Sequence, residues 1–244
     1  LLSNGNGEDD TTTFAPLITS IEPVSELPGL GENGFTCTVN GDDAVTIGGG
    51  LVVGSANGFV IVGDGNELRS LTIQNFDLSG VIIQGDDNRI TDCVIRDHGE
   101  SGVFITTNAF GGTGNLIDGT LAGPNIITGN VRFGIEIVDG GNGGADGNLI
   151  AGNWIGVTGA GLVAAGNTQA GIGIFESAGT IIGGATSDKG NVISANGTGV
   201  RLAGEGTTGT VIRRNLIGVG LDGLTDLGNS GAGVDSFNNG PGAT

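Results

Sequence analysis

Apolar triplets, each led by glycine, recur along the chain at a fixed interval. Gly58-Phe-Val-Ile, Gly80-Val-Ile-Ile and Gly102-Val-Phe-Ile follow one another at steps of 22 residues. Between these triplets apolar residues stand at alternate positions, which is the period of a β-strand with one buried face. Similar anchors continue at steps of 32, 37, 28 and 34 residues, at Gly134, Gly171, Gly199 and Gly233. A minimal coil of 22 residues, lengthened by insertions, explains the series.

Twenty-two residues suffice for three short strands and three turns. Such coils, laid on top of one another about 4.8 Å apart, form three parallel sheets. Crossovers between parallel strands are overwhelmingly right-handed. Glycine fills 53 of the 244 positions and interrupts every candidate helix. The pattern therefore predicts an all-β fold, a single-stranded right-handed parallel β-helix.

A longer repeat supports this fold. Residues 153–171 return 62 positions later as residues 215–233, with ten of nineteen positions identical and no gap. Self-similarity at a fixed offset is typical of a solenoid, in which each unit buries its apolar face against its neighbours. The repeat contains insertions at 156–166 and 218–228, which we expect to project from the same edge of the column. Loops on a rigid scaffold are common binding sites.

Three segments differ in composition. Residues 1–34 are acidic and contain prolines, and they predict an irregular lead-in that caps the first hydrophobic layer. Residues 35–237 carry the repeats and form the β-helix, and residues 238–244 form a Gly-rich tail. No second domain is indicated. Because the chain begins Leu-Leu-Ser and stops within a coil, we expect it to be part of a longer polypeptide.

The charge balance narrows the range of partners. Eight Lys and Arg residues against 26 Asp and Glu residues give a formal net charge of −18. This charge argues against nucleic acids and anionic membranes, and an anionic polysaccharide would need bridging divalent cations. No stretch is long and apolar enough for membrane insertion.

The two cysteines are expected to be free thiols. Cys93 occupies the slot of Leu71 in the preceding coil and should point inward. Cys37 lies 56 residues before Cys93, which places it about 12 Å away along a stacked sheet. A disulfide needs Cα atoms within about 7 Å.

Asparagine is the most regular polar residue. The motif Asn-x-Ile-x-x-Asn occurs at 125–130, 148–153 and 191–196, and Thr replaces its first residue at 210–215. Asparagine tolerates the left-handed turn conformation, and its amide can bond to the equivalent residue in the next coil. We therefore expect one structural ladder, formed by Asn130, Asn153, Asn196 and Asn215.

The strongest catalytic candidates lie in the polar stretch 86–100. Asp92 and Arg96 could share an outward face, and His98, the one histidine, would have to serve any imidazole-based acid–base step. However, Asp97-His98-Gly99 aligns with a turn of the previous coil, where polar residues are ordinarily solvated. Asp86 and Asp87 are weak candidates for calcium ligands. No catalytic residue is therefore assigned with conviction.

Three further residues are weak binding candidates. Trp154 could stack on a sugar ring, but Leu216 is its equivalent in the repeat, which favours packing beneath the insertion. Asp222 and Asp226 are the acidic residues of the second insertion. Apart from calcium, the sequence indicates no cofactor.

Gly-Asn-x-Ile-x-x-Asn-x-Ile-Gly, followed by a Gly-Leu…Gly-Asn insertion and a Gly-Val anchor, resembles the right-handed parallel β-helix repeats of the pectin-lyase-like superfamily. The similarity spans about residues 59–237 and is greatest to bacterial secreted or cell-surface arrays. If the chain were an enzyme of that superfamily, the resemblance would imply carboxylates on a sheet face, often with calcium. In polygalacturonase-like members an Asp-Asp pair lies on a strand, whereas Asp86-Asp87 follows Gly85 in a turn, so that resemblance fails.

The leading hypothesis is therefore a non-enzymatic extracellular structural, adhesive or self-assembling segment of a bacterial surface or secreted protein. Its partners would be a polysaccharide or other copies of the chain. Alternatives are a carbohydrate-active lyase or hydrolase, or a glycan-binding depolymerase, acting on a sheet face, and a filament subunit that stacks end to end.

Overall fold

The computed structural model describes residues 10–32, 34–107, 111–120, 123–140 and 144–237. Among these residues no helix is long and apolar enough to span a membrane. One 3-10 turn covers Ser187–Lys189. The strands are β1 (Asp10–Thr12), β2 (Ser20–Ile21), β3 (Cys37–Gly48), β4 (Phe59–Ile61), β5 (Glu67–Gln74), β6 (Val81–Ile83), β7 (Arg89–Thr91), β8 (Val94–Arg96), β9 (Val103–Thr106), β10 (Leu116–Asp118), β11 (Ile126–Thr128), β12 (Phe133–Val138), β13 (Leu149–Ala151), β14 (Trp154–Ile155), β15 (Val157–Thr158), β16 (Val163–Ala164), β17 (Ala170–Phe175), β18 (Ile181–Ile182), β19 (Val192–Ile193), β20 (Thr198–Ala203), β21 (Val211–Ile212), β22 (Leu216–Ile217) and β23 (Val234–Phe237).

The strands form three parallel stacks, and this confirms the predicted parallel β-helix. Sheet 1 runs from β1 through β3, β5, β7, β10, β13 and β18 to β21. Sheet 2 runs from β2 through β3, β5, β8, β11, β14 and β19 to β22. Sheet 3 runs from β4 through β6, β9, β12, β17 and β20 to β23. Because β3 and β5 continue around a corner, they belong to both of the first two sheets.

The core is a column of mainly aliphatic side chains. Each short strand of sheets 1 and 2 from β7 to β19 adds one, and each strand of sheet 3 from β4 to β20 adds two. In sheet 2, for example, Ile73, Ile95, Ile127, Ile155 and Ile193 lie in register and have no exposed surface. Alternation within each short strand points this residue inward and its two neighbours outward. Full burial of one aliphatic side chain contributes about 1.5–3 kcal/mol, so the column is a large favourable term.

The first described segment is more regular than predicted. Strand β1 pairs with the start of β3, β2 pairs with its end, and Leu30 forms a bridge with Ile61. Residues 10–32 thus add a coil to the column rather than an irregular lead-in. Phe14, Ile21 and Leu27 pack against the core, so this coil covers the first layer. Residues 1–9, Asn33 and the predicted tail 238–244 lie outside the described residues.

Most corners between sheets share a two-residue design. A residue with positive φ turns the chain, and the next residue stands immediately before the following strand. Ahead of sheet 1, Gly65, Asp87 and Gly114 have φ of 68°, 54° and 68°. Glycine reaches this region without a steric penalty, and Asp and Asn reach it more readily than most residues. This requirement explains the recurring Gly-Asn pairs of the sequence.

The residue after the turn forms a ladder along the column. In the first ladder, ahead of sheet 1, the N–H of Asn66 donates to Oδ1 of Asn88 at 2.7 Å. Asn88 donates likewise to Asn115, and Asn115 to Asn148, both at 2.8 Å. Thr180 and Thr210 hold the equivalent positions in the last two coils, ahead of β18 and β21. The corner amides of Asn66, Asn88 and Asn115 therefore find an acceptor one coil further on.

The four predicted ladder residues belong to two other ladders, which corrects the expectation of one. The second ladder, ahead of sheet 2, contains Asn125, Asn153, Asn191 and Asn215. The third, ahead of sheet 3, contains His98, Asn130, Asn167, Asn196 and Asn229. The physical reason is that a strand separates the two asparagines of each Asn-x-Ile-x-x-Asn motif, so they lie at successive corners.

The two insertions of the 62-residue repeat project beside sheet 2. We call residues 156–166 the first projection and residues 218–228 the second projection. The first contains the antiparallel pair β15–β16, and the second contains the antiparallel bridge Val219–Asp226. Leu221 and Leu227 of the second projection pack with Trp154 and Val192 in a small cluster outside the main core.

Replacing Asn167 by alanine tests the ladders. Its Oδ1 accepts two bonds from Asn130, and its Nδ2 donates to Ile127 O and to Asn196 Oδ1. Because all four bonds are buried, we expect Asn167→Ala to lower the free energy of unfolding in urea by roughly 3 kcal/mol. The exposed neighbour Gln169 provides the control, and Gln169→Ala should cost less than about 0.5 kcal/mol. Equal effects of the two substitutions would contradict the ladder.

Candidate functional site

The structure does not bring the three catalytic candidates together. Asp92 lies in the corner before β8, Arg96 ends that strand, and His98 follows the next turn. Three residues separate Asp92 from Arg96, and four residue steps of extended chain span about 13 Å. Arg96 is instead paired with its neighbour, with its Nη1 2.7 Å from Asp97 Oδ2.

His98 fills an asparagine position in the third ladder. Its Nδ1 accepts the N–H of Phe76 at 3.2 Å, and its own N–H donates to Asn130 Oδ1 at 3.2 Å. The ring stacks on Phe76, with centroids 6.0 Å apart, and is 1% exposed. Desolvation by burial lowers the pKa of His98 to about 4, so the imidazole is neutral. This histidine is a link between coils.

Asp92 takes part in a corner contact rather than in a reactive cluster. Ser70 Oγ donates to Asp92 Oδ2 at 3.4 Å across adjacent coils. Burial, reinforced by the negative charge of Asp43, raises the pKa of Asp92. Its backbone has φ of 54°, which places it at the turn position that glycine fills in other coils.

The calcium candidates are poorly suited to bind a metal. Asp86 Oδ1 accepts the N–H groups of Gly112 and Thr113, both at 2.8 Å. Asp87 occupies the left-handed turn position and is exposed. Within the part of the chain that the structure describes, no three His, Cys, Asp or Glu residues cluster as metal ligands would.

The binding candidates near the repeat have structural partners. Trp154 is 8% exposed and packs with Leu221 and Leu227 beneath the second projection, so its ring faces are covered. Asp222 accepts the N–H groups of Leu224 and Thr225 at 2.9 and 2.8 Å and the hydroxyl of Thr225 at 2.7 Å. These hydrogen bonds lower the pKa of Asp222. Asp226 forms the bridge at the base of the loop.

Both cysteines are free and buried, and they lie at different corners. The N–H of Cys37 donates to Asn66, and that of Cys93 donates to Asn125, so each begins an asparagine series. Burial raises the pKa of the Cys93 thiol to about 12 and raises that of Cys37 as well.

A buried carboxylate that the sequence did not single out lies on the outer face of sheet 3. Glu136 stands between the core residues Ile135 and Ile137 of β12, so its side chain points outward, yet the residue is 3% exposed. Ser101 Oγ donates to Oε2 at 2.6 Å, and Arg132 Nη2 lies 3.0 Å from Oε1. Burial raises the pKa of Glu136, and these two partners lower it in part.

Aromatic side chains surround this carboxylate. Phe104 lies beside Glu136 in the preceding coil and Gly173 in the following one. A Cβ at Gly173 would lie 2.7 Å from the Phe133 ring, so Phe133 covers that glycine. Phe133 meets Phe175 edge to face at 5.5 Å. In the sequence, the one sign of this site is that Glu136 stands at the strand position that Phe104 holds in the preceding coil.

Comparisons with known proteins are sparse. Neither known protein families nor curated proteins match the chain. Among solved structures, the A-module of a mannuronan C-5 epimerase from Azotobacter vinelandii matches with 14% identity and a TM-score of 0.32. The match covers 86% of this chain and 64% of that chain. At these values it carries no argument about activity, and the fold rests on the strand pairing described above.

The burial of His98 predicts a loss of stability in mild acid. The unfolded chain takes up a proton near pH 6.5 and the folded chain only near pH 4, so stability falls as pH drops through that window. At pH 4.5 the loss should be roughly 2–3 kcal/mol relative to pH 7.

His98→Asn, which installs the usual ladder residue, should remove this loss and keep stability at pH 7. Urea unfolding of both proteins at the two pH values measures the difference. Parallel pH dependence in both proteins would mean that His98 is already protonated or accessible in the fold.

The thiols should resist modification while the chain is folded. Because both are buried with raised pKa values, we expect an aromatic disulfide reagent to react with neither at pH 8. Two equivalents should react in concentrated urea. Rapid reaction of one thiol without denaturant would show that its corner opens.

Proposed function

We propose that the chain is a non-enzymatic structural or adhesive β-helix segment of a bacterial secreted or cell-surface protein. Its role is to present a rigid, acidic column, with any partner, such as a polysaccharide or another copy, contacting the outer faces or projections. Calcium, which binds carboxylate and carbonyl oxygens, is the ion we propose to bridge such a surface to an anionic polysaccharide.

One observation carries this proposal: the recurrent polar side chains are already used in bonds between coils. The asparagines satisfy corner amides, and His98 does the same with its Nδ1. Catalysis requires a base or nucleophile that is aimed at a substrate and has a matched pKa. His98 is buried and Arg96 is paired with Asp97, so neither meets that requirement.

The alternative of a glycan-active or glycan-binding face is favoured by Glu136 alone. A carboxyl group with a raised pKa, next to a guanidinium and aromatic rings, is the kind of group that can donate a proton or bind a hydroxyl. Against this alternative, both oxygens are engaged and the side chain is 4% exposed. A substrate would have to displace Arg132.

Incubation with acidic and neutral polysaccharides, with and without calcium, tests the proposal. We expect no new reducing ends and no unsaturated products at any pH from 5 to 8. Cleavage that disappears in Glu136→Gln and persists in the exposed control Glu205→Gln would contradict the proposal and support the alternative. Binding without cleavage would agree with an adhesive role.

A further inference from the structure

The two projections touch each other along the column, although a coil without a projection lies between them. The first projection follows β14 and the second follows β22, while β19 separates these strands. The N–H of Leu221 donates to Gly161 O at 3.0 Å. Ser194 of the intervening coil donates to Val219 O at 2.8 Å, which supports the second projection from below.

Two glycines make this contact possible. A Cβ at Gly161 would lie 2.8 Å from Leu221 Cβ, and a Cβ at Gly220 would lie 2.8 Å from Leu162 Cδ2. Each leucine thus rests on a glycine of the opposite projection. The contact joins a carbonyl surface (Gly161 C=O with Leu162) to an amide surface (Gly220 with the Leu221 N–H).

The second projection repeats the carbonyl surface and leaves it open. By the 62-residue offset, Gly223 and Leu224 correspond to Gly161 and Leu162. The two glycines share the left-handed conformation, with φ of 73° and 68°. Gly161 is buried, whereas a Cβ at Gly223 would meet nothing nearer than Leu216 at 4.0 Å. Leu162 is 39% exposed, and Leu224 is 86% exposed.

We propose that the Gly223–Leu224 surface binds a third projection of the same kind. The partner is a pair of β-helix coils. Its projection carries a glycine and a backbone N–H at the positions that Gly220 and Leu221 hold in the second projection. The partner's chemistry follows from the surface, since the apolar side chain of Leu224 fits an apolar seat and the backbone carbonyl of Gly223 accepts from an N–H. The nearby Asp222 carboxylate is already bonded to its own loop. The contact is heterologous, so it can repeat along an array.

This inference deepens the proposed structural role, on which it rests, by naming the partner. It also gives the repeat a use: projections two coils apart, about 9.6 Å along the axis, form a continuous ridge.

A cysteine at the open leucine tests the surface, because the two natural thiols are buried. Leu224→Cys and its matched control Leu162→Cys are compared in the full chain and in a chain extended by a second copy of residues 183–244. That extension preserves the 62-residue offset. In the unextended chain, Leu224→Cys should be alkylated about tenfold faster than Leu162→Cys. In the extended chain its rate should fall to within about threefold of that control.

In the extended chain, the appended copy contains a glycine that corresponds to Gly220. Replacing that glycine alone by leucine should restore fast alkylation of Leu224→Cys. In the unextended chain, Gly220→Leu should likewise speed alkylation of Leu162→Cys. Unchanged fast alkylation after extension, whether or not the added coils fold, would overturn the inference. So would concentration-dependent protection of Leu224→Cys in the unextended chain, which would assign the surface to a second molecule. None of these outcomes bears on polysaccharide cleavage, so the proposed function is tested separately.

Discussion

Every corner of a β-helix places backbone N–H groups along the column axis, and these groups must be bonded in each coil. Strand pairing satisfies the amides within the sheets but stops at the turns. Here the asparagine ladders continue the pairing, since one amide side chain, such as that of Asn191, both accepts the preceding coil's N–H and donates to a carbonyl. An orphaned buried amide costs about 1–3 kcal/mol, so the ladders are a condition of stacking.

This constraint also explains the residues that resemble functional groups. Cys37 and Cys93 stand where an asparagine series begins, a position that requires only a backbone donor. His98 replaces an asparagine because its Nδ1 can accept the N–H of Phe76. The thiols and the imidazole, which are common catalytic groups, are therefore explained by the architecture. Glu136 is different, because its side chain accepts bonds from Ser101 and Arg132 rather than from a corner amide.

Periodicity alone predicted much of the fold. The 22-residue step and the inward isoleucines were readable because the buried residues recur at the same places in successive coils. The projections could be assigned to one edge because Leu216 aligns with Trp154.

The number of ladders could not be predicted from Asn130 and Asn153 without knowing that each corner has its own column of residues. The coil at residues 10–32 was hidden by prolines and polar residues, because its strands are short and pair on one side only. Glu136 was missed because Ser101, which donates a hydrogen bond to it, lies 35 positions away in the sequence.

Hydrogen–deuterium exchange of the corner amides tests the central claim most directly, namely that the ladders hold the coils together. The account predicts that the amides of Asn88, Asn153 and Asn196 exchange as slowly as those of the strand residues Ile90 and Ile155, in one cooperative unit. Exchange of these ladder amides within seconds, while the strands stay protected, would contradict it.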